Sequence, residues 1–146
     1  DALKAALHIK AVMKQNKKLD VRIAIGLGAE THRAQRITES NGPAYVNSGE
    51  AFEALGKQTL AINSNDDHND QTLNLMLSLA LLTANTWSST VAEVITATTE
   101  HPKKTQKELA TLLGKSQSSI SEALKRGGYD EIMNLNNYYQ NLIASL

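Results

Sequence analysis

Residues 105–127 contain the pattern that most restricts what this chain can fold into. They read TQKELATLLGKSQSSISEALKRG. Thr105 is placed to cap a helix, and Glu108, three residues later, completes a capping box. Gly114 can adopt the left-handed backbone conformation that a tight interhelical turn requires, and Ser116 can cap the next helix. The stretch therefore predicts two short helices joined by a tight turn.

Small and apolar residues in this stretch have the spacing of a helix-turn-helix. Ala110 is small where the two helices must approach closely, and Ile120 is expected to face inward from the second helix. With Gly114 they give a small residue, a turn glycine and a buried branched residue at steps of four and six. The other residues expected on the inward faces are Leu109, Leu112, Leu113 and Leu124. A helical hairpin with a solvated basic face is the alternative interpretation.

The outward face of the second helix suits duplex DNA. Short polar side chains stand at its N-terminal end, where such helices meet base edges in the major groove. The residues expected to contact base edges are Gln117, Ser118 and Ser121. The residues expected to contact phosphates are Lys104, Lys107, Lys115, Ser116, Lys125 and Arg126. Double-stranded DNA is therefore the expected partner, and transcriptional regulation the expected role. A protein-interaction module that docks an acidic partner stays open as an alternative.

The charge of the chain is zero overall but unevenly distributed. Fifteen Lys and Arg residues balance fifteen Asp and Glu residues. Residues 58–100 contain five acidic residues and no Lys or Arg, whereas residues 103–126 contain six basic and two acidic residues. Because neutralising phosphates supplies most of the non-specific affinity for DNA, this local excess matters more than the total charge. We expect a basic face of modest affinity that salt weakens easily.

The N-terminal part of the chain mixes helix and strand signals. The pattern predicts a helix over 2–18, a strand over 21–28, a second strand or hairpin arm over 29–38, a short helix capped by Ser48, and a strand over 59–62. This order is what remains of a βαββαβ unit when its first strand is absent.

Strand signals stop after the polar, acidic stretch 63–70, which reads NSNDDHND and is the best candidate for a linker. Only helices are predicted beyond it. We therefore predict an α+β protein of two domains: an α/β domain over 1–64 and an all-α helix-turn-helix domain over 65–146.

Two further helices should complete the helical domain. Residues 88–99 supply the helix that a three-helix core needs, and Trp87 is expected to fill the core beside it. The last helix, residues 129–146, has one apolar stripe that would pack on this core or pair with a second subunit. A homodimer would suit recognition of two DNA half-sites, and the sequence leaves this open.

The combined motifs resemble those of a family of small bacterial proteins. RIAIGLG at 22–28, ESNGPAYVNSGEAFEAL at 39–55 and the pattern at 105–127 are similar to the SatD family, over nearly the whole chain. The resemblance implies a ferredoxin/cyclase-like α/β domain, truncated here by its first strand, before the helix-turn-helix domain. It implies architecture more than activity, and we expect the chain to be a fragment of a longer protein.

The IGLG strand and the helix after it also resemble class III nucleotide cyclases, which suggests an enzyme. Those enzymes need two carboxylates to hold metal ions against the triphosphate. The stretch after Gly28 offers only Glu30 and Glu39, and neither has the expected hairpin setting. We therefore expect no catalytic residues, and a catalytically silent domain used for dimerisation or ligand sensing.

Other candidate sites are weaker. Gly26 and Gly28 form a GxG pair, but no third glycine opens a helix, so a dinucleotide site is not expected. His68 has three aspartates nearby but no second histidine at ligand spacing, so we expect neither a metal nor a cofactor. The absence of cysteine agrees with a reducing cytoplasm. Because no apolar stretch reaches the roughly twenty residues of a membrane-spanning helix, we expect a cytoplasmic protein without a membrane partner.

Overall fold

The computed structural model describes residues 1–28 and 42–145. These residues form seven helices and two strands, which confirms a helix-rich α+β protein. The helices are α1 (Ala2–Lys14), α2 (Pro43–Ala54), α3 (Asp67–Ala84), α4 (Ser89–Glu100), α5 (Gln106–Leu113), α6 (Gln117–Arg126) and α7 (Tyr129–Ala144). The strands are β1 (Ile23–Gly26) and β2 (Leu60–Asn63). Within the described ranges, no helix is both long and apolar enough to cross a membrane.

The chain divides into two compact units. The helical unit comprises Asp1–Val21 and Leu82–Leu146, and the α/β unit comprises Arg22–Leu81. This division differs from the boundary predicted between residues 64 and 65, which assigns α1 to the N-terminal domain. The structure groups α1 with the C-terminal helices because its buried face packs against α4 and α7.

The helical unit is built around α4, which contacts α1, α5 and α6, while α7 contacts α6 and α1. Apolar side chains from all five helices are almost completely buried: Leu3, Leu7, Val94, Ile95, Leu109, Ile120, Ile132 and Leu135. Trp87, just before α4, is also buried, and its Nε1 donates a hydrogen bond of 2.9 Å to the carbonyl oxygen of Gly127. This confirms the prediction that Trp87 fills the core.

Gly127 allows α6 to lie close to α4. A Cβ atom at this position would be 2.7 Å from Cδ1 of Ile95 and 3.0 Å from Cγ1 of Val91. Both distances are shorter than ordinary van der Waals contacts, so a larger residue would force these core side chains to shift. The glycine therefore helps to set the distance between α6 and its supporting helix.

An ion pair between a buried lysine and a more exposed aspartate ties α1 to the segment that follows it. The side chain of Lys10 is 1% exposed, and its Nζ lies 2.7 Å from Oδ1 of Asp20. Burial lowers the pKa of Lys10, although the hydrogen bond to Asp20 acts in the opposite direction. Burial alone would raise the pKa of Asp20, but hydrogen bonds from Lys10 and the backbone of Val21 outweigh it and lower that pKa. Because an unpaired buried charge is costly, Lys10 depends on Asp20 for its compensation.

The α/β unit contains a strand–helix–strand motif. β1 and β2 are parallel neighbours, in register from Ile23 opposite Leu60 to Gly26 opposite Asn63, and α2 packs on both strands. In the split arrangement of a ferredoxin-like sheet, another strand lies between the two strands that such a helix connects. The second strand or hairpin arm predicted over 29–38 lies outside the described residues.

Small residues at the end of β1 allow α2 to lie close to it. A Cβ atom on Gly26 would overlap the carbonyl oxygen of Ala44 and the backbone nitrogen of Ser48. Asn47, which is 2% exposed, donates a hydrogen bond of 2.6 Å from Nδ2 to the carbonyl oxygen of Leu27. The GxG pair therefore serves the packing of helix on strand.

The side chain of Asn74, on α3, occupies the outer edge of β2. Its Nδ2 donates to the carbonyl oxygen of Ile62 at 2.8 Å, and its Oδ1 accepts from the backbone nitrogen of Ile62 at 2.9 Å. The amide thereby makes both of the hydrogen bonds that a residue of a neighbouring strand would make.

Helix α2 begins earlier than the sequence predicts. It starts at Pro43, with Gly42 as the N-cap residue, so the prediction that Ser48 caps it was wrong. Proline suits the first helical position because its φ angle is already helical and its missing N–H group would find no partner there. Ser48 lies inside the helix, where its hydroxyl donates to the carbonyl oxygen of Tyr45 at 2.9 Å.

Half of the predicted linker, residues 67–70, belongs to the first turn of α3. The helix begins at Asp67, and Oδ1 of Asp66 accepts hydrogen bonds from the backbone nitrogens of His68 and Asn69 at 3.1 and 3.0 Å. Aspartate is a strong N-cap residue, and acidic residues stabilise the first turn of a helix. The stretch 63–70 therefore contains the end of β2 and the start of α3, and the linker prediction was wrong for residues 67–70.

Candidate nucleic-acid interface

The caps and the turn between α5 and α6 are formed as the sequence predicts. Oγ1 of Thr105 accepts from the backbone nitrogen of Glu108 at 3.3 Å, and Oε2 of Glu108 accepts from the backbone nitrogen of Thr105 at 2.7 Å. The backbone nitrogen and the hydroxyl of Thr105 both donate hydrogen bonds to this carboxylate, and they hold the pKa of Glu108 below its usual range. Gly114 has φ 62° and ψ 35°, which is the left-handed conformation. Ser116 caps α6, since its Oγ accepts from the backbone nitrogen of Ser119 at 3.2 Å.

Helices α5 and α6 are here called the helix pair, and their inward faces are well buried. Ile120 is 0% exposed, while Leu109 and Ala110 are 1% and 6% exposed. Leu112 is 51% exposed, so its predicted inward position was wrong. The buried side of α5 is centred on Leu109, Ala110 and the half-buried Leu113, and Leu112 lies beside that stripe. Leu124 is also only half-buried.

The three residues predicted to contact base edges all lie on the surface of α6. Gln117, Ser118 and Ser121 are exposed. The hydroxyl of Ser118 is hydrogen-bonded to the hydroxyl of Ser116 at 3.0 Å. In the described part of the chain, the side chains of Gln117 and Ser121 make no hydrogen bond. Gln117 and Ser121 are therefore free to bind a partner, whereas Ser118 would first exchange its bond to the cap.

The residues predicted to contact phosphates fall into two groups. Lys115 is only partly exposed, and its Nζ lies 3.0 Å from Oε2 of Glu93 on α4. Ser116 uses its hydroxyl to cap α6. The other four are exposed and form no ion pair with any described residue: Lys104, Lys107, Lys125 and Arg126. The four cations without an ion pair to a described residue are here called uncompensated cations, and Lys115 is not one of them because it pairs with Glu93.

Two charged residues of this surface are included in the predicted basic segment 103–126 but not among its predicted contacts. Lys103, just before α5, is exposed and adds a fifth uncompensated cation. Glu122 is exposed on α6, two residues from the buried Ile120 and one from the buried Ala123. The signal was available, because helical periodicity counted from Ile120 and Ala123 turns Glu122 outward. The net charge of residues 103–126 alone does not show where on the helix Glu122 lies.

The α/β unit contains a separate cavity of about 490 Å³ beside β2. Apolar side chains such as Leu55 and Ile62 line part of it, and its polar lining includes Glu50, Asn63 and Asp70. A mixture of apolar walls and a few polar groups is typical of small-molecule sites. In the described ranges, no group of three or more His, Asp or Glu residues is placed to hold a metal ion. Glu30 and Glu39, the carboxylates considered for cyclase chemistry, lie outside these ranges.

Comparisons of the chain with protein-family models, with curated proteins and with solved structures found no match. The function of the helix pair is therefore inferred from its own geometry and charge.

Proposed function

We propose that this protein binds double-stranded DNA through the helix pair and acts as a transcriptional regulator. The observation that carries the proposal is the outward face of α6, which is polar and exposed along its whole length. Ile120 and Ala123 fix this face, because they anchor the opposite side of the helix in the core. The helix has ten residues and is about 15 Å long, and the major groove, about 12 Å wide, admits an α-helix.

The uncompensated cations supply the electrostatic part of binding. Three of them lie on α5 or just before it and two lie in the last turn of α6: Lys103, Lys104, Lys107, Lys125 and Arg126. Each neutralised phosphate contributes about −0.9 to the slope of log K against log salt concentration, so five contacts give a slope of about −4.5. Raising the salt concentration fourfold should then weaken binding by about 500-fold.

Fluorescence anisotropy with labelled duplexes over a range of salt concentrations tests this proposal. The double variant Lys125→Ala/Arg126→Ala should weaken binding to every duplex and reduce the size of the salt slope by about 2. Lys17→Ala/Lys18→Ala removes the same charge from exposed positions just after α1 and should leave the slope unchanged. Gln117→Ala should instead alter the preference between duplexes of different sequence.

The absence of salt-sensitive binding to any duplex would refute DNA binding. A salt-sensitive oligomer in which Gln117 and Ser121 become protected would show instead that the helix pair binds protein. Chemical crosslinking at low and high salt separates these two outcomes.

We also propose a fold family for the α/β unit. We infer an α/β domain of the SatD type in a bacterial cytoplasmic protein. The order of strand, helix and strand supports this, and the direct pairing of β1 with β2 distinguishes the unit from the split arrangement of a ferredoxin-like sheet. Ligand sensing by this unit would use the cavity beside β2. A homodimer on two half-sites would appear in sedimentation experiments with a palindromic duplex.

A further inference from the structure

Glu122 lies in the middle of the face that α6 would present to DNA. It follows Ser118 by one helical turn and precedes Lys125 by three residues, so these three side chains form one row. All three are exposed, and the buried Ile120 and Ala123 lie on the other side of the helix. A helix that enters the major groove with this face would bring the carboxylate of Glu122 towards the bases.

The carboxylate of Glu122 is available for a partner outside the chain. A glutamate followed by basic residues three and four positions later, here Lys125 and Arg126, is well placed for an ion pair along the helix. Nevertheless, Glu122 makes neither an ion pair nor a hydrogen bond with any residue that the structure describes.

The chemistry of the major groove restricts what this carboxylate can bind. It is repelled by phosphates, and it accepts hydrogen bonds but donates none. The donors that base pairs present in this groove are N4 of cytosine and N6 of adenine. Adenine also presents the acceptor N7 beside N6, which would repel the second carboxylate oxygen, whereas glutamine, with both a donor and an acceptor, suits adenine. Cytosine is therefore the base that fits Glu122.

We infer that Glu122 determines specificity by accepting a hydrogen bond from N4 of a cytosine, and so selects a C·G base pair at one position of the bound duplex. This inference depends on the proposed DNA binding by the helix pair. It assigns to Glu122 a role in choosing between duplexes, while the flanking cations supply affinity for all of them.

Selection of the preferred duplex from a random library, followed by anisotropy on all single base-pair changes, tests the inference. The wild type should favour cytosine at one position by about 5- to 150-fold. Glu122→Ala should lose this preference at that position alone, and Glu122→Gln should shift it towards adenine. Glu131→Gln removes the same charge from an exposed position on α7 and should change no preference.

The outcomes distinguish this inference from the proposed function. If Glu122→Ala binds every duplex more tightly by one common factor with unchanged preferences, Glu122 only repels phosphates and the inference is wrong, while DNA binding stands. If the wild type binds no duplex in a salt-sensitive manner, both are wrong.

Discussion

Replacing Gly114 by alanine tests whether backbone conformation alone fixes the turn between α5 and α6. Gly114 has a φ of 62°, and a Cβ atom there would meet nothing within 4 Å, so side-chain contacts contribute nothing. The left-handed conformation costs an L-residue about 1–2 kcal/mol. Alanine recovers about 0.4–1 kcal/mol by restricting the unfolded chain. We therefore expect Gly114→Ala to lower the free energy of unfolding by about 1 kcal/mol, and Gly114→Asn to lower it less, because asparagine tolerates this conformation.

Gly49 provides a matched comparison for the same chemical change. It lies inside α2, and a Cβ atom there would also meet nothing within 4 Å. Alanine inside a helix is more stable than glycine by about 0.5–1 kcal/mol. Adding one methyl group should therefore stabilise the protein at Gly49 and destabilise it at Gly114, with a difference of about 1.5–2 kcal/mol between the two variants.

Urea unfolding measures both effects. Far-UV circular dichroism follows both compact units, and the fluorescence of Trp87, the single tryptophan, follows the helical unit that contains Gly114. A Gly114→Ala variant as stable as the wild type would refute the reasoning. So would a loss of the same size in Gly49→Ala, because the two sites would then not differ through their backbone conformations.

Three further predictions concern the helical unit. Asp20→Asn should lower the free energy of unfolding by about 2 kcal/mol, which urea unfolding measures. This loss is smaller than for a fully buried ion pair because the Asp20 side chain is 35% exposed. The pKa values of Asp20 and Glu108 are lowered in the folded state, so both carboxylates stabilise it at pH values above the ordinary carboxyl pKa of about 4. The free energy of unfolding should therefore decrease as the pH falls below that value. Asp20→Asn should make this decrease smaller. Trp87→Phe leaves the carbonyl oxygen of Gly127 without its hydrogen-bond donor. It should lower the free energy of unfolding, measured by thermal unfolding, by about 2–3 kcal/mol. A loss below about 1 kcal/mol would show that water or a rearranged donor replaces the indole.

The features that could be predicted from the sequence are those that neighbouring residues determine. Thr105, Gly114 and Ser116 act through hydrogen bonds or dihedral angles within a few residues, and all three behave as predicted. The start of α2 was open to the same reasoning, because Pro43 after Gly42 is a start signal as well as a turn signal.

The features that could not be predicted depend on residues far apart in the chain. Lys115 pairs with Glu93, which lies 22 residues earlier, and no local pattern indicates this contact. On α3, Leu73 and Leu77 are buried whereas Leu75 and Leu79 are about 60% exposed. Leucines occur on both sides of this helix, so only the packing of the fold decides which side is covered.

The hydrogen bonds between Asn74 and Ile62 also bear on how this protein resists aggregation. A strand with an open edge is a template for strands of other chains, and within the described residues β2 pairs only with β1. An incoming strand would have to displace the Asn74 amide and break two hydrogen bonds, each worth about 0.5–1.5 kcal/mol, before it could pair with Ile62. The asparagine therefore acts as a gatekeeper against strand addition at this edge. Association of copies by strand addition at Ile62 is therefore disfavoured.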